Sequence, residues 1–248
     1  MQKTVLITGS SRGIGAATAR LAAHQGYRVV VNYLVNQQAA LELVDDINRN
    51  GGKAICQQAD VSSESDVITL FQTIDRQLGP LTALVNNAGI LEHQMRVEQM
   101  SVDRWQRVLT SNVISCFLCC REAVSRMSMK RGGIGGSIVN VSSVAARTGS
   151  PGEYVDYAAS KGAVDAFTLG LAKEVADEGI RVNAVRPGFI YTDIHASGGE
   201  PNRVDRLKDG IPMKRGGTPK EVAHAILWLL SDEASYCTGT FIDLGGGR

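Results

Sequence analysis

The stretch TVLITGSSRGIGAATARLAA, residues 4–23, constrains this chain more than any other. A short β-branched run, TVLIT, turns through a loop with glycines at 9, 13 and 15 into a segment of helix formers. Glycine lets a backbone turn tightly and approach a bound group closely, and the following helix N-terminus offers free amides and the positive end of a dipole. Strand, glycine loop and helix in that order predict a parallel α/β unit whose loop receives a pyrophosphate. A glycine cluster without that context would carry no such reading.

The same alternation continues along the chain. TVLIT, RVVVN, KAICQ, LTALV, SIVNV, RVNAV and TFIDL are strand candidates, and segments of helical period lie near 13–25, 37–49, 63–78, 101–129, 154–178 and 219–231. About seven strands separated by helices predict an α/β fold with a doubly wound parallel sheet covered on both faces. No composition shift divides the chain, so residues 1–248 are read as one domain. Gly26, Gly51 and Gly52 fall where helix C-caps belong, and Thr218, Pro219 and Glu221 spell a capping box with proline at the first helical position. Residues 142–153 and 188–217 fit no element. Both follow strands at their carboxyl ends, where ligands bind in such sheets, and the second is the expected substrate loop.

Charge and apolar patterning narrow the partners. Lys plus Arg number 26 against 25 Asp plus Glu, a net charge of +1 that gives no electrostatic reason for a nucleic acid or membrane partner. No apolar run reaches about 18 residues and no signal-peptide pattern opens the chain, so a cytoplasmic protein acting on small molecules is expected. Five scattered cysteines, at 56, 116, 119, 120 and 237, suit a reducing compartment. CFLCC contains a CxxC, but its i, i+3, i+4 spacing makes a buried helical stripe and no second cluster completes a ligand set, so no metal is expected.

One further stretch bears on chemistry. EYVDYAASKGA, residues 153–163, places Tyr154, Tyr157 and Lys161 where one helical face would carry all three. At about 1.5 Å per residue, Tyr157 lies about 6 Å from Lys161 along the axis and Tyr154 about 10 Å away. A tyrosine titrates near 10 in isolation, and a lysine cation at short range would bring it toward working range. Only Tyr157 is close enough, which leaves Tyr154 as a wall or packing residue. The YxxxK spacing is common on surface helices and does not make a site by itself.

Seven motifs in order resemble the short-chain dehydrogenase/reductase family along essentially the whole chain: TGSSRGIG at 8–15, Asp60, NNAG at 86–89, Asn112, the serines of NVSS, YxxxK at 157–161 and RPGFIYT at 186–192. Within it the pattern is most similar to glucose 1-dehydrogenase-like and 3-oxoacyl-carrier-protein-reductase-like members. The resemblance implies a Rossmann-type sheet, hydride transfer between a nicotinamide cofactor and a carbonyl or secondary alcohol, and a homotetramer built through helices 101–129 and 154–178 and the C-terminal strand region. The ending IDLGGGR departs from the more frequent VDGG.

The resemblance also assigns roles. Tyr157 would be the acid/base, Lys161 its pKa modulator and a ribose contact, and Asn112 the anchor of a water in the proton relay. Ser142 and Ser143 adjoin each other at a strand end; aligned on IVNVSS, Ser143 takes the family's polarising position. Its spacing of 14 residues to Tyr157 is one more than the commonest pattern. Cofactor contacts are implied at Gly9, Ser11, Arg12, Gly13, Ile14 and Gly15 in the first loop, and at Asn32 and Tyr33 ending the second strand. They are implied further along at Asp60 and Val61, at Asn86, Ala88 and Gly89, and at Pro187, Gly188, Ile190 and Thr192. His195 is expected to be a surface or substrate-wall group.

An NAD enzyme of this architecture places an acid about 20 residues past the glycines. Here no Asp or Glu precedes Glu42, and Tyr33 occupies the acid's position. With Arg12 as a phosphate partner, this favours NADP(H) over NAD(H). Two alternatives stand beside a reductase of polar or small carbonyls. One is a 3-oxoacyl-carrier-protein reductase, with Arg126, Lys130 and Arg131 as candidate rim cations that a helix C-terminus would also attract. The other is an NADP-binding regulator without turnover, which the intact Asn112, Ser143, Tyr157 and Lys161 set disfavours.

Overall fold

The computed structural model describes residues 3–248. Seven strands form one parallel sheet: β1 (Thr4–Ile7), β2 (Arg28–Tyr33), β3 (Lys53–Gln58), β4 (Ala83–Asn86), β5 (Gly136–Val141), β6 (Ile180–Pro187) and β7 (Phe241–Leu244), in the order β3-β2-β1-β4-β5-β6-β7. The helices between them are α1 (Gly13–His24), α2 (Gln37–Arg49), α3 (Glu64–Leu78), α4 (Val102–Leu109), α5 (Ser115–Met127), α6 (Ala145–Thr148), α7 (Val155–Val175), α8 (Ile194–Ser197), α9 (Arg203–Leu207) and α10 (Pro219–Leu230). This is a Rossmann-type sheet, and its order reverses between β1 and β4.

β1 and the middle of β2 are apolar on both faces because each face meets a helix layer, whereas the edge strands β3 and β7 keep exposed polar residues at Lys53, Gln58 and Asp243. In β1, Val5 and Ile7 join Ala19 of α1, Leu43 of α2 and Ile226 of α10, while Leu6 points to the opposite layer, with Phe71 of α3, Cys119 of α5 and Val164 of α7. β2 repeats the split, Val29 and Val31 one way and Val30 the other. Alanines at 16, 19, 22 and 23 give α1 a narrow buried face that lets it lie against α10.

The expected helix over 101–129 is interrupted. α4 and α5 are joined by a π-helical turn, Thr110–Ile114, centred on Asn112. The Asn112 side chain accepts from the Ile90 amide (2.7 Å) and donates to the Ile90 carbonyl (3.1 Å) and Ser160 Oγ (3.0 Å), which holds the widened turn against its neighbours. The stretch Val102–Met127 is also long and apolar enough, by length and composition, to cross a membrane, contrary to the sequence expectation. Its apolar side chains, among them Leu118, Cys119, Ala123 and Met127, pack into the layer against the sheet. The three cysteines of this stretch are free thiols, all buried, and burial pushes Cys119 and Cys120 up from the usual thiol range.

The two segments without an assignment contain short helices, α6 in the first and α8 and α9 in the second. Gly26 and Gly51 follow α1 and α2 in left-handed conformations (φ +84° and +82°), as C-caps require. The capping box of α10 is present: Thr218 Oγ1 accepts from the Glu221 amide (3.3 Å) and the Glu221 carboxylate accepts from the Thr218 amide (2.7 Å). Thr218→Ala is expected to lower unfolding free energy by about 1 kcal/mol in urea titrations, with an unchanged m-value.

Candidate active site

The carboxyl ends of β1 and β4 diverge at the switch point, and a cleft of about 1000 Å³ opens there. Polar side chains hold its floor. Thr8 Oγ1 accepts from the amides of Asn87 (3.0 Å) and Ala88 (2.9 Å), while Asn87 Nδ2 donates to the carbonyls of Thr8 (2.9 Å) and Gly9 (3.0 Å). Asn32 extends the knot to β3: its Oδ1 accepts from the Gly9 amide (3.1 Å), and its Nδ2 donates to Gln57 (3.3 Å) and Ala59 (3.1 Å) carbonyls.

Gly9 has φ +58°, and a Cβ there would sit 3.0 Å from Ala88 Cα, so the glycine is required twice over. A Cβ on Gly15 would lie 2.7 Å from Asn87 Nδ2 and from Ser10 Cα; this glycine serves close packing beneath the loop and not the cleft wall. Ser11, Arg12, Gly13 and Ile14 do line the cleft. The first turn of α1 contains no acidic residue, and its N-cap, Arg12, makes no side-chain cap, which leaves the leading amides for an anion. Among the described residues Arg12 is exposed and has no ion-pair partner.

At the same end, Asn32 and Tyr33 line the cleft, both buried, with Leu34 and Val35 exposed beside them. The Asp60 carboxylate accepts from the amide and hydroxyl of Ser62 (2.9 and 2.7 Å), and Val61 packs into the core while touching the cleft. Ala88 and Gly89 form wall. The Asn86 side chain does not: it donates to Asn140 Oδ1 (2.9 Å) and reaches Cys120 Sγ (3.1 Å) under the sheet ends, and Asn87 takes the wall position.

The reacting end gathers residues from three elements. Tyr157 is in the first turn of α7, with Ser143 close enough to its hydroxyl to act against a rise in its pKa. Ser143 Oγ also accepts from the Ala145 amide (3.1 Å), whereas Ser142 Oγ turns to the Lys161 carbonyl (3.3 Å). Lys161 is buried beneath, its Nζ 5.5 Å from the centre of the Tyr157 ring and donating to the Val141 carbonyl (2.8 Å). A Cβ on Gly89 would meet Asn112 Oδ1 at 3.1 Å and Lys161 Nζ at 3.6 Å, which places all three together.

Burial governs the charges. It lowers the Lys161 ammonium to about 8 and raises the Tyr157 phenol to about 12, with the Ser143 hydrogen bond working against the rise. The lowering of Tyr157 expected from a lysine one turn away is not seen: burial sets the direction and Ser143 alone opposes it. Lys161 spends a proton on Val141 and sits against the ring, not the hydroxyl.

Segment 188–217 roofs the cleft. Gly188 lies over Gly245, where a Cβ would meet its Cα at 3.0 Å, and Pro187, Ile190 and Thr192 line the wall, with Thr192 Cγ2 beside Gly13. His195 is buried, not at the surface; its Nε2 is 3.0 Å from the Ile190 carbonyl, and burial holds its pKa down. Tyr154 precedes α7 as its N-cap, is buried, and donates to the Gly198 carbonyl (3.3 Å). Arg203 is the unforeseen member: a buried guanidinium over the rings of Tyr154 and Phe189 (5.0 and 5.5 Å), paired with Glu153 and Glu200. Polar spacing around it reads as solvated loop, so no sequence signal marks it. Asn87 had a signal, the doubled asparagine at a strand end.

Asn32→Asp would keep the acceptor for Gly9 but set a carboxylate against two carbonyls. It is expected to cost roughly 2–4 kcal/mol of stability, measured as a lowered urea midpoint.

Comparison with known proteins adds the lineage. The family model described as Enoyl-(Acyl carrier protein) reductase matches residues 9–248. The chain is 64% identical over 243 residues to the Uncharacterized oxidoreductase YgfF of Escherichia coli, covering 98% of each chain. It is 41% identical to Glucose 1-dehydrogenase 2 of Bacillus subtilis, covering 99% of this chain and 94% of the relative. It is also 41% identical to a 3-oxoacyl-[acyl-carrier-protein] reductase of Synechocystis sp., covering 99% and 96%.

Proposed function

The chain belongs to the short-chain dehydrogenase/reductase family of oxidoreductases, and from that premise we propose that it transfers a hydride between NADP(H) and a small or polar carbonyl or secondary alcohol. The observation that carries the reading is Ser143 beside Tyr157 and a buried Lys161, in the same cleft as the uncapped loop of α1. When bound, the nicotinamide supplies or accepts the hydride.

The residues present fit such a cofactor. Gly9 and Gly13 leave the loop without side chains over the approach to the α1 amides, and those amides meet a pyrophosphate. The unpaired Arg12, with Tyr33 in place of a carboxylate, favours a 2′-phosphate. Asp60 and Val61 would hold the adenine end, Ala88 and Gly89 the middle of the cofactor, and Pro187, Gly188, Ile190 and Thr192 the nicotinamide, all of them cleft-lining residues.

In carbonyl reduction, Ser143 donates to the substrate oxygen and Tyr157 protonates it as the hydride arrives. The Lys161 cation stabilises the tyrosinate left behind, and Asn112 anchors the water through which the proton is replaced. Tyr157, held near 12, is a protonated donor throughout the neutral range, and Lys161 is charged only below about 8. The carrier-protein alternative has less support. Arg126 is paired with Asp75 and Glu122, and Lys130 with Asp177, so two of the three candidate cations are spent within the chain, while Arg131 reaches Ser125 Oγ (3.4 Å). A homotetramer is the proposed assembly, and the cytoplasm the proposed location.

A screen of aldehydes, ketones, sugars and oxoacyl thioesters is expected to find substrates with a kcat/KM at least tenfold higher with NADPH than with NADH. A preference for NADH defeats the cofactor assignment. Tyr157→Phe should lower kcat by 10²-fold or more, and undiminished turnover defeats the mechanism. Because the ammonium is lost as pH rises, kcat/KM for reduction should hold level up to about pH 8 and fall above it; a profile rising through pH 9 contradicts the role of Lys161.

A further inference from the structure

A buried ion pair outside the reacting set lies directly behind it. Arg104 on α4 and Asp156 in the first turn of α7 are 4% and 1% exposed, and they meet fork to fork, Nε to Oδ2 at 2.6 Å and Nη2 to Oδ1 at 3.3 Å. The remaining arm of Arg104, Nη1, donates to the His93 carbonyl at 2.6 Å. One guanidinium therefore joins three segments: α4, the start of α7, and the loop that carries the cleft residues Ile90 and Leu91.

Those segments need such a joint. The N-cap of α7, Tyr154, makes no side-chain cap and follows left-handed residues at Gly149, Ser150 and Gly152 that do little to aim the helix. Among the other ties at this turn, Glu153 to Arg203 and Tyr154 to Gly198 lead into the roof segment, and the Glu153 carbonyl accepts from the Met95 amide in the loop after β4 (3.0 Å). On the far side, α4 runs directly into the π turn of Asn112. Asp156 adjoins Tyr157 in sequence, so the pair adds a second tie, beside the Asn112–Ser160 hydrogen bond, between the two elements that bring Asn112 and Tyr157 together.

Energetics favour this over a purely stabilising role. Taking two charges out of water costs about as much as their attraction returns, and apolar residues of similar volume often replace such a pair without loss of stability. A planar guanidinium does fix direction and distance in a way that packed methylenes do not. We propose that Arg104 and Asp156 are positioning residues for the proton-transferring tyrosine, holding the first turn of α7 in register with the Asn112 turn. The inference rests on the reductase reading above.

The test uses the full-length protein, NADPH and the carbonyl compound most rapidly reduced in the screen. In the double variant Arg104→Met, Asp156→Leu, Tm should stay within a few degrees of wild type and the NADPH dissociation constant within twofold. Misplacement by about 1 Å can cost 10²-fold, so kcat should fall tenfold to a hundredfold, with the alkaline fall of the pH profile displaced. Arg104→Lys, which keeps the charge and loses the fork, should give an intermediate kcat. A folded double variant with wild-type kcat and pH profile overturns the inference and leaves the reductase reading standing. A double variant that loses fold and cofactor binding alongside activity, with Arg104→Lys indistinguishable from wild type, also overturns it, since the pair would then be structural. Absence of wild-type turnover on every compound tested sinks the reductase reading, and this inference with it.

Discussion

The parting of β1 from β4 is the constraint on which the rest of the molecule depends. A parallel sheet can hold a ligand only where its backbone ladder stops and its loops diverge, and there the last amides and carbonyls lose their ladder partners. Thr8, Asn87 and Asn32 supply those partners. Short polar side chains close the ladder in a way water would otherwise have to, and the cleft keeps a rigid floor at the point where the sheet is weakest. The glycines follow from this, since backbone drawn so tightly together has no space for a Cβ at Gly9 or Gly15.

The reacting end works under a different constraint, which is burial. A lysine and a tyrosine in one pocket are each driven toward neutrality by low dielectric, and here that drive sets the direction of both shifts. The pair is poised and not pre-ionised: an uncharged phenol beside an ammonium that titrates near neutrality.

The strand order and the two helix layers were legible because every strand is bounded by turn residues and every helix has a polar outer face. Spacing separated Tyr157 from Tyr154 correctly in distance to Lys161, although Tyr154 turned out to precede the helix. What could not be read are features made by distant parts of the chain. Nothing local in DRWQ marks Arg104 as buried, because its partner is 52 residues away. Arg203 lies in a segment whose polarity resembles solvated loop, and it is covered through the rings of Tyr154 and Phe189. The π turn at Asn112 is likewise silent, since one inserted residue leaves the apolar stripe nearly in phase.

The order of strands also sets the order of events in making the protein. β1 pairs with β4 across nearly 80 residues, and the cleft wall at Pro187 to Thr192 belongs to β6 and its exit loop. A growing chain can form β1, β2 and β3 with their helices early, yet the glycine loop then faces open solvent with its exposed neighbours Leu34 and Val35 uncovered. Loop-closure entropy delays pairing of such remote segments, so folding of this topology is slow, with apolar surface exposed while it proceeds. A nucleotide that bridges the two halves would bind only the finished sheet, and in a cell its abundance would pull late intermediates forward by mass action.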